Sequence, residues 1–217
     1  MARHTIFNGY TPLAEFAGNV VNDLFTVRFV DLPIEYTVCS FTNIANESSG
    51  ADFVEKPVEV DAEFGACLFI KGADSSATGT CIIQGFDYLG QPVTEEVTVS
   101  GDGVNTKKAF KYIKKVFVTS AKSTTFTVTR KNILGLPYRT SAVLSETVGG
   151  VKSSKVTLTV PVNVTQTATT GDPRGTISVT DYTTPATIVL VCVASPEIFT
   201  INEKKVGGLF GIPHFSI

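Results

Sequence analysis

The sequence predicts an all-β protein: an antiparallel β-sandwich or barrel-like body with extended N- and C-terminal arms and little helix. Three observations lead there. Apolar and polar residues alternate through Gly79–Arg130, which places one row of side chains in a core and the next in water. Gly, Asp, Asn and Pro punctuate the alternating runs, the pattern of a sandwich or barrel. Thr and Val fill the runs, as in Thr157-Leu158-Thr159-Val160, in keeping with strand propensity.

Residues 1–23 read differently. Tyr10, Leu13, Ala17, Val20 and Val21 roughly follow helical spacing, and Thr11-Pro12 can cap and open a helical turn, so this stretch is expected to be an arm. A β-sandwich core is expected over 24–135. Its strands are Leu24–Val30, Glu35–Ile44, Ala66–Lys71, Gly79–Tyr88, Val93–Ser100, Val116–Ser120 and Thr124–Arg130. Leu89-Gly90-Gln91-Pro92 makes a hairpin turn, and Gly101-Asp102-Gly103 and Ala121–Ser123 make further turns. Gly135 and Pro137 should end any strand after Arg130, while Leu134, Leu136 and Tyr138 are apolar enough to pack down on the body. Residues 136–206 add strands that pack on or complete the same body: Val156–Val164, Thr176–Thr180 and Ala186–Ala194, with a tight turn at Gly171–Thr176. Residues 207–217 form an apolar tail whose large side chains call for a docking surface.

Composition narrows the function classes. With 43% hydrophobic residues among 217, the chain has enough apolar surface to fold, and its 18% of charged residues falls below the usual soluble share. That shortage fits either a surface partly covered by partners or a large core with Thr- and Ser-rich faces. A net charge of −2 argues against nucleic acid, and no apolar run reaches the roughly 20 residues of a membrane-spanning helix. The opening residues lack the apolar stretch of a secretory signal, so synthesis in a cytoplasm is expected. Cys39, Cys67, Cys81 and Cys192 lie in strand-like runs at spacings that fit no zinc site, and are expected to be buried thiols; a Cys67–Cys81 disulfide is the alternative.

Catalytic signals are weak, and the chain is expected not to be an enzyme. His4 and His214 stand in opposite terminal segments, and neither joins a triad pattern. Glu95 and Glu96 are neighbours on a strand, so they face opposite ways and cannot work as a carboxylate pair. Asp102, Asn105 and Asp172 lie in loops without the spacing of a calcium loop, which leaves them as turn formers. No catalytic residue, metal or cofactor is expected. Two charge runs remain. Lys107, Lys108, Lys111, Lys114 and Lys115 form one; Glu47, Asp52, Glu55, Glu59, Asp61 and Glu63 form the other. Each is a solvated face, or the two are complementary strips that meet across a subunit boundary. Phe110, Tyr112, Ile113 and Phe117 between the lysines read as core, not as a base-stacking platform.

Three places carry a resemblance. Gly85–Val97 reads G-x-D-x-x-G-x-x-x-T-E and leads into Ser100-Gly101 and Thr106–Phe110. Ile133–Arg139 (ILGLPYR) pairs with Gly171–Thr176 (GDPRGT). The third is Leu209-Phe210-Gly211-Ile212-Pro213. Together they resemble small virion proteins of tailed bacteriophages that sit on or between major capsid subunits, the head decoration or cement proteins. The resemblance implies a protein on the capsid exterior that binds the major capsid protein, self-associates as a dimer or trimer, and clamps the mature shell without covalent chemistry. A tail-associated role as tube, fibre base or adaptor is the alternative. The interface residues expected on this reading are Phe7, Tyr10, Leu13 and Phe16 in the arm, Lys107, Lys108 and Lys111 on the body, and Leu209, Phe210, Ile212, Phe215 and Ile217 in the tail. Arg139 and Arg174 are expected to stay structural, bonded to loop carbonyls or carboxylates. Neither nucleic acid nor membrane is an expected partner.

Overall fold

The computed structural model describes residues 24–61, 63–162 and 167–194, together with the backbone of 198–201 and 204–207. The expected arm over 1–23, and the tail from residue 208 onward, lie outside the described residues. In chain order the strands are β1 (Leu24–Leu32), β2 (Tyr36–Thr42), β3 (Ser48–Asp52), β4 (Val58–Glu59), β5 (Ala66–Gly72), β6 (Gly79–Phe86), β7 (Pro92–Val99), β8 (Val104–Asn105) and β9 (Tyr112–Ser120). There follow β10 (Thr125–Gly135), β11 (Thr140–Val148), β12 (Val151–Lys152), β13 (Val156–Thr159), β14 (Thr176–Val179), β15 (Ala186–Ala194), β16 (Ile198–Ile201) and β17 (Lys204–Gly207). No helix occurs among the described residues, and the sheets are antiparallel with a curled, half-barrel course.

One sheet runs β1-β15-β11-β12. A second runs β13-β14-β10-β5-β8, with β2 also on β10. A third runs β3-β9-β6-β7, with β4 also on β9, and β16 pairs with β17. β10 organises the second sheet. Its eleven residues take β5 along one edge, and take β2 and then β14 end to end along the other. Strands from both sides of residue 135 therefore share two of the sheets.

Period-two patterning builds the core. Phe25, Val27 and Phe29 of β1 face inward with Ile188, Leu190 and Cys192 of β15, and Phe126, Val128 and Leu134 of β10 join Leu68 and Ile70 of β5. Each such side chain contributes about 1.5–3 kcal/mol on burial. Edge-to-face aromatic pairs tie the layers: Phe29 to Phe64 at 5.8 Å and Phe64 to Tyr88 at 5.3 Å between ring centroids.

Several boundaries differ from expectation, each for a local reason. β10 runs on to Gly135, and Pro137 alone is the break. Gly135 fits within the strand because its amide donates to Gly65 O at 2.9 Å, and a Cβ there would meet Phe64 O at 2.5 Å. β11 is an unexpected strand; two register shifts erase its alternation, so the sequence carries no period-two signal there. β3 is short, polar and glycine-containing, and pairs along β9 regardless. The hairpin turn sits earlier than the expected Leu89–Pro92: Asp87 N donates to Gln91 O at 2.9 Å and Gly90 N to Asp87 O at 3.1 Å, which draws Tyr88 out of the strand.

Gly85 sits beside the register shift between β6 and β9, and its missing side chain is a packing requirement. A Cβ there would lie 2.0 Å from the Tyr112 carbonyl oxygen and 3.1 Å from the Phe110 ring. Gly85→Val should cost about 1–3 kcal/mol or more, because backbone has to move to admit it. A shift of the urea midpoint to lower denaturant with an unchanged slope would record that loss; an unshifted midpoint would refute the packing argument.

Candidate functional site

The resemblance-bearing segments that the structure describes meet inside the protein. Asp87, at the turn between β6 and β7, uses Oδ1 to accept the amides of Leu89 and Gln91, both at 2.9 Å. Its Oδ2 accepts Arg174 Nη1 at 3.0 Å. Asp172 accepts the Arg174 amide at 2.9 Å and Arg174 Nε at 3.3 Å on Oδ1, and the Ala109 amide at 3.2 Å on Oδ2. The Arg174 guanidinium lies 4.8 Å from the Tyr88 ring centroid, and the Tyr88 hydroxyl donates to Pro137 O at 2.6 Å. Arg139 donates to Pro173 O and Pro161 O, each at 2.9 Å. Both arginines thus play the structural part expected of them. Burial disfavours the Arg174 charge, but Asp172 and Asp87 outweigh it and hold the group above its ordinary value; burial pushes the Tyr88 phenol up to about 12.

A second cluster adjoins the first. Glu95 on β7 is 1% exposed, whereas Glu96 points to solvent, as strand alternation requires. The Glu95 carboxylate accepts the amides of Lys107 at 2.7 Å and Lys108 at 2.9 Å. Lys108 is fully buried, and its ammonium donates to Thr94 O at 2.6 Å and to Thr167 O. Thr106 accepts the Leu68 amide at 2.8 Å and donates to Lys108 O at 3.1 Å. Three segments, β7, 106–109 and 167–174, are laced together by charge-assisted hydrogen bonds.

The two charge runs meet within one chain. β3 and β4, which carry Asp52 and Glu59, pair antiparallel with β9, so Lys115 reaches Asp52 at 3.1 Å, and Lys111, just before β9, reaches Glu59 at 3.4 Å. The expected complementarity is real at these pairs, but its partner is the chain's own neighbouring strand. Of the three body lysines expected at an interface, Lys107 is exposed. Lys111 is mostly buried, and Lys108 is interior, with its charge bound to carbonyls and therefore unavailable to a partner. Phe110 and Ile113 belong to the core, and Tyr112 and Phe117 are half-buried. Phe7, Tyr10, Leu13, Phe16, Leu209, Phe210, Ile212, Phe215 and Ile217 lie outside the described residues, as do His4 and His214.

Sequence reasoning missed Arg130. It is completely buried on β10, with Nη2 on Asp61 Oδ2 at 2.7 Å and Nη1 on Asn132 Oδ1 at 2.8 Å and Pro33 O at 3.0 Å. The signal was present: Phe126, Val128, Arg130, Asn132 and Leu134 share one face by the period-two rule.

The chemistry on offer is limited. All four thiols are free; three are buried and Cys39 is part-buried. Burial pushes Cys39 up to about 11 and Cys81 and Cys192 to about 12, and it also raises Cys67 well above its ordinary value, so they remain thiols, which are poor nucleophiles. Ser76 touches the Lys122 ammonium, but that ammonium also pairs with Asp74 at 3.0 Å in an exposed turn that excludes no water. Among the described residues no group of three or more His, Cys, Asp or Glu side chains is arranged to hold a metal. A cavity of about 560 Å³ adjoins the polar clusters; Thr106, Lys107 and Asp172 contribute to its lining beside Ile133, Val160 and Val162. No protein-family model, curated protein or solved structure matches the chain.

Proposed function

We propose that this chain is a structural protein of a tailed-phage virion, a head decoration or cement protein that binds the major capsid protein on the shell exterior and stabilises the mature shell by non-covalent clamping. The observation that carries this reading is where the charged groups go. Asp87, Asp172, Arg174, Glu95 and Lys108 all bind one another or backbone, deep in the body, and of the five only Asp172 lines the cavity of about 560 Å³. Such a body resists deformation and, among the described residues, leaves nothing poised to make or break a bond, which is what a clamp on a pressurised shell needs. The G-x-D-x-x-G and GDPRGT segments, read from sequence as virion-like, are the segments that build this interior. Self-association as a dimer or trimer belongs to the same proposal, because a clamp at a symmetry axis contacts several subunits at once.

Particle fractionation tests it. Heads and tails are separated from purified virions, and the copy number of this chain is measured against the major capsid subunit. A ratio near one per capsid subunit in the head fraction is the expected result. A handful of copies confined to tails would replace the reading with a tail-associated role, and absence from both fractions would end it.

A further inference from the structure

β13 is an edge strand of the second sheet, and no described strand pairs with its outer side. On its inner side the Lys155 carbonyl accepts the Thr180 amide at 2.9 Å. The Thr159 and Pro161 carbonyls point the same way. Thr159 O faces Gly175, where a Cβ would meet it at 2.8 Å, and Pro161 O accepts Arg139 Nη2 at 2.9 Å. Main-chain groups alternate sides along an extended strand, so Val156, Leu158, Val160 and Val162 turn theirs outward. The Val156 amide does so and meets Glu146 Oε1 at 3.1 Å. Pro161 keeps Val160 extended, and its own missing N–H falls on the β14 side, so it does not blunt the edge.

The outward residues are also apolar. Leu158 is half-buried, Val160 is 50% exposed and Val162 is 90% exposed. No charged residue lies between Val156 and Val162. The stretch thus lacks the charges with which exposed edges resist pairing.

We propose that this edge is a self-association surface: residues 158–162 pair antiparallel with the same residues of a second copy, about a two-fold axis at Val160. Val160 then opposes itself, and Leu158 opposes Val162 of the second copy at either end. Each pair exchanges two main-chain hydrogen bonds. Both exposed valines leave water in the process. A register centred on Leu158 would instead need the Val156 amide, which Glu146 already holds. A neutral strand suits an identical partner, because a charge at the axis would meet its own copy. The pairing deepens the self-association within the proposed function and rests on that part of it alone, with the dimer as its form.

Sedimentation equilibrium of the full chain should show a dimer. Val160→Lys sets two lysines face to face on the axis and should raise the dissociation constant about tenfold or more. Val162→Lys should raise it too. Both side chains meet solvent in the single chain, so the fold should survive either change. A monomeric native chain overturns the pairing and the self-association together. A dimer that both variants leave intact overturns the pairing alone and leaves self-association to another surface. Crosslinking tests the register. Val160→Cys should give a covalent dimer on mild oxidation, because the Cα atoms of such a pair lie about 5.5 Å apart, within disulfide reach. Thr157→Cys should stay at the background of the native chain, since this register puts the two copies of residue 157 roughly 20 Å apart. Equal crosslinking at the two positions, or none at either, overturns the register.

Discussion

Replacing Arg174 by Met should lower the unfolding free energy by about 3–5 kcal/mol, because it strands two buried carboxylates with no cation between them. Asp87 and Asp172 are each less than a tenth exposed, and both pair with this one guanidinium. Their other hydrogen bonds are to backbone amides, which compensate part of a negative charge but not two of them at close quarters. Met also gives up the cation–π contact with the Tyr88 ring. The decisive comparison is the triple variant Asp87→Asn, Asp172→Asn, Arg174→Met. With every formal charge removed, it should recover a substantial part of the loss, since the largest cost of the single variant is unpaired charge. Urea unfolding of the two variants measures it. If Arg174→Met lies within about 1 kcal/mol of the native chain, the node is not the tie described here.

The same node shows what a reader of the sequence can and cannot see. Turn-forming types at Gly90 and Gly171–Gly175 mark where the chain reverses, and those reversals occur, although Asp87, expected within the strand, belongs to the first of them. That Asp87 and Arg174 touch across 87 positions is invisible, because no local pattern encodes which loops become neighbours. The strands behave likewise. β6 and β7 stand out because their alternation is unbroken, and β5 and β15 because they are continuous apolar runs of strand length. β11 does not, because bulges shift its register; nor does β3, whose SSGAD sequence draws its order from β9 and not from its own propensity. The lysine and glutamate runs were visible as runs. Their mutual pairing depended on β3, β4 and β9 sharing a sheet, a tertiary fact. Lys108 is the sharpest instance: a lysine beside a lysine reads as surface, and only the fold reveals that one of the pair points inward.

Arg130→Met should also destabilise by about 3–5 kcal/mol, and its pattern of rescue should differ from that of Arg174. Arg130 occupies an apolar row, where Phe126, Val128 and Leu134 would accept a hydrophobic side chain of similar length. What opposes the swap is the set of acceptors it serves: the Asp61 carboxylate, the Asn132 side-chain oxygen and the Pro33 carbonyl. A lysine reaches fewer of them, because an ammonium lacks the planar fork, so Arg130→Lys should remain well below the native chain. Adding Asp61→Asn to Arg130→Met removes the stranded charge but leaves Pro33 O and Asn132 Oδ1 without their donor, so recovery should be partial. Asp61 Oδ1 also accepts the Glu63 amide at 2.9 Å, a contact Asn can keep, which makes Asn the fair partner substitution. Thermal or urea unfolding of the native chain, Arg130→Met, Asp61→Asn and the double variant gives the coupling energy directly. A coupling near zero would mean that Arg130 stabilises β10 by packing alone, and that the ion pair beneath it contributes nothing to the fold.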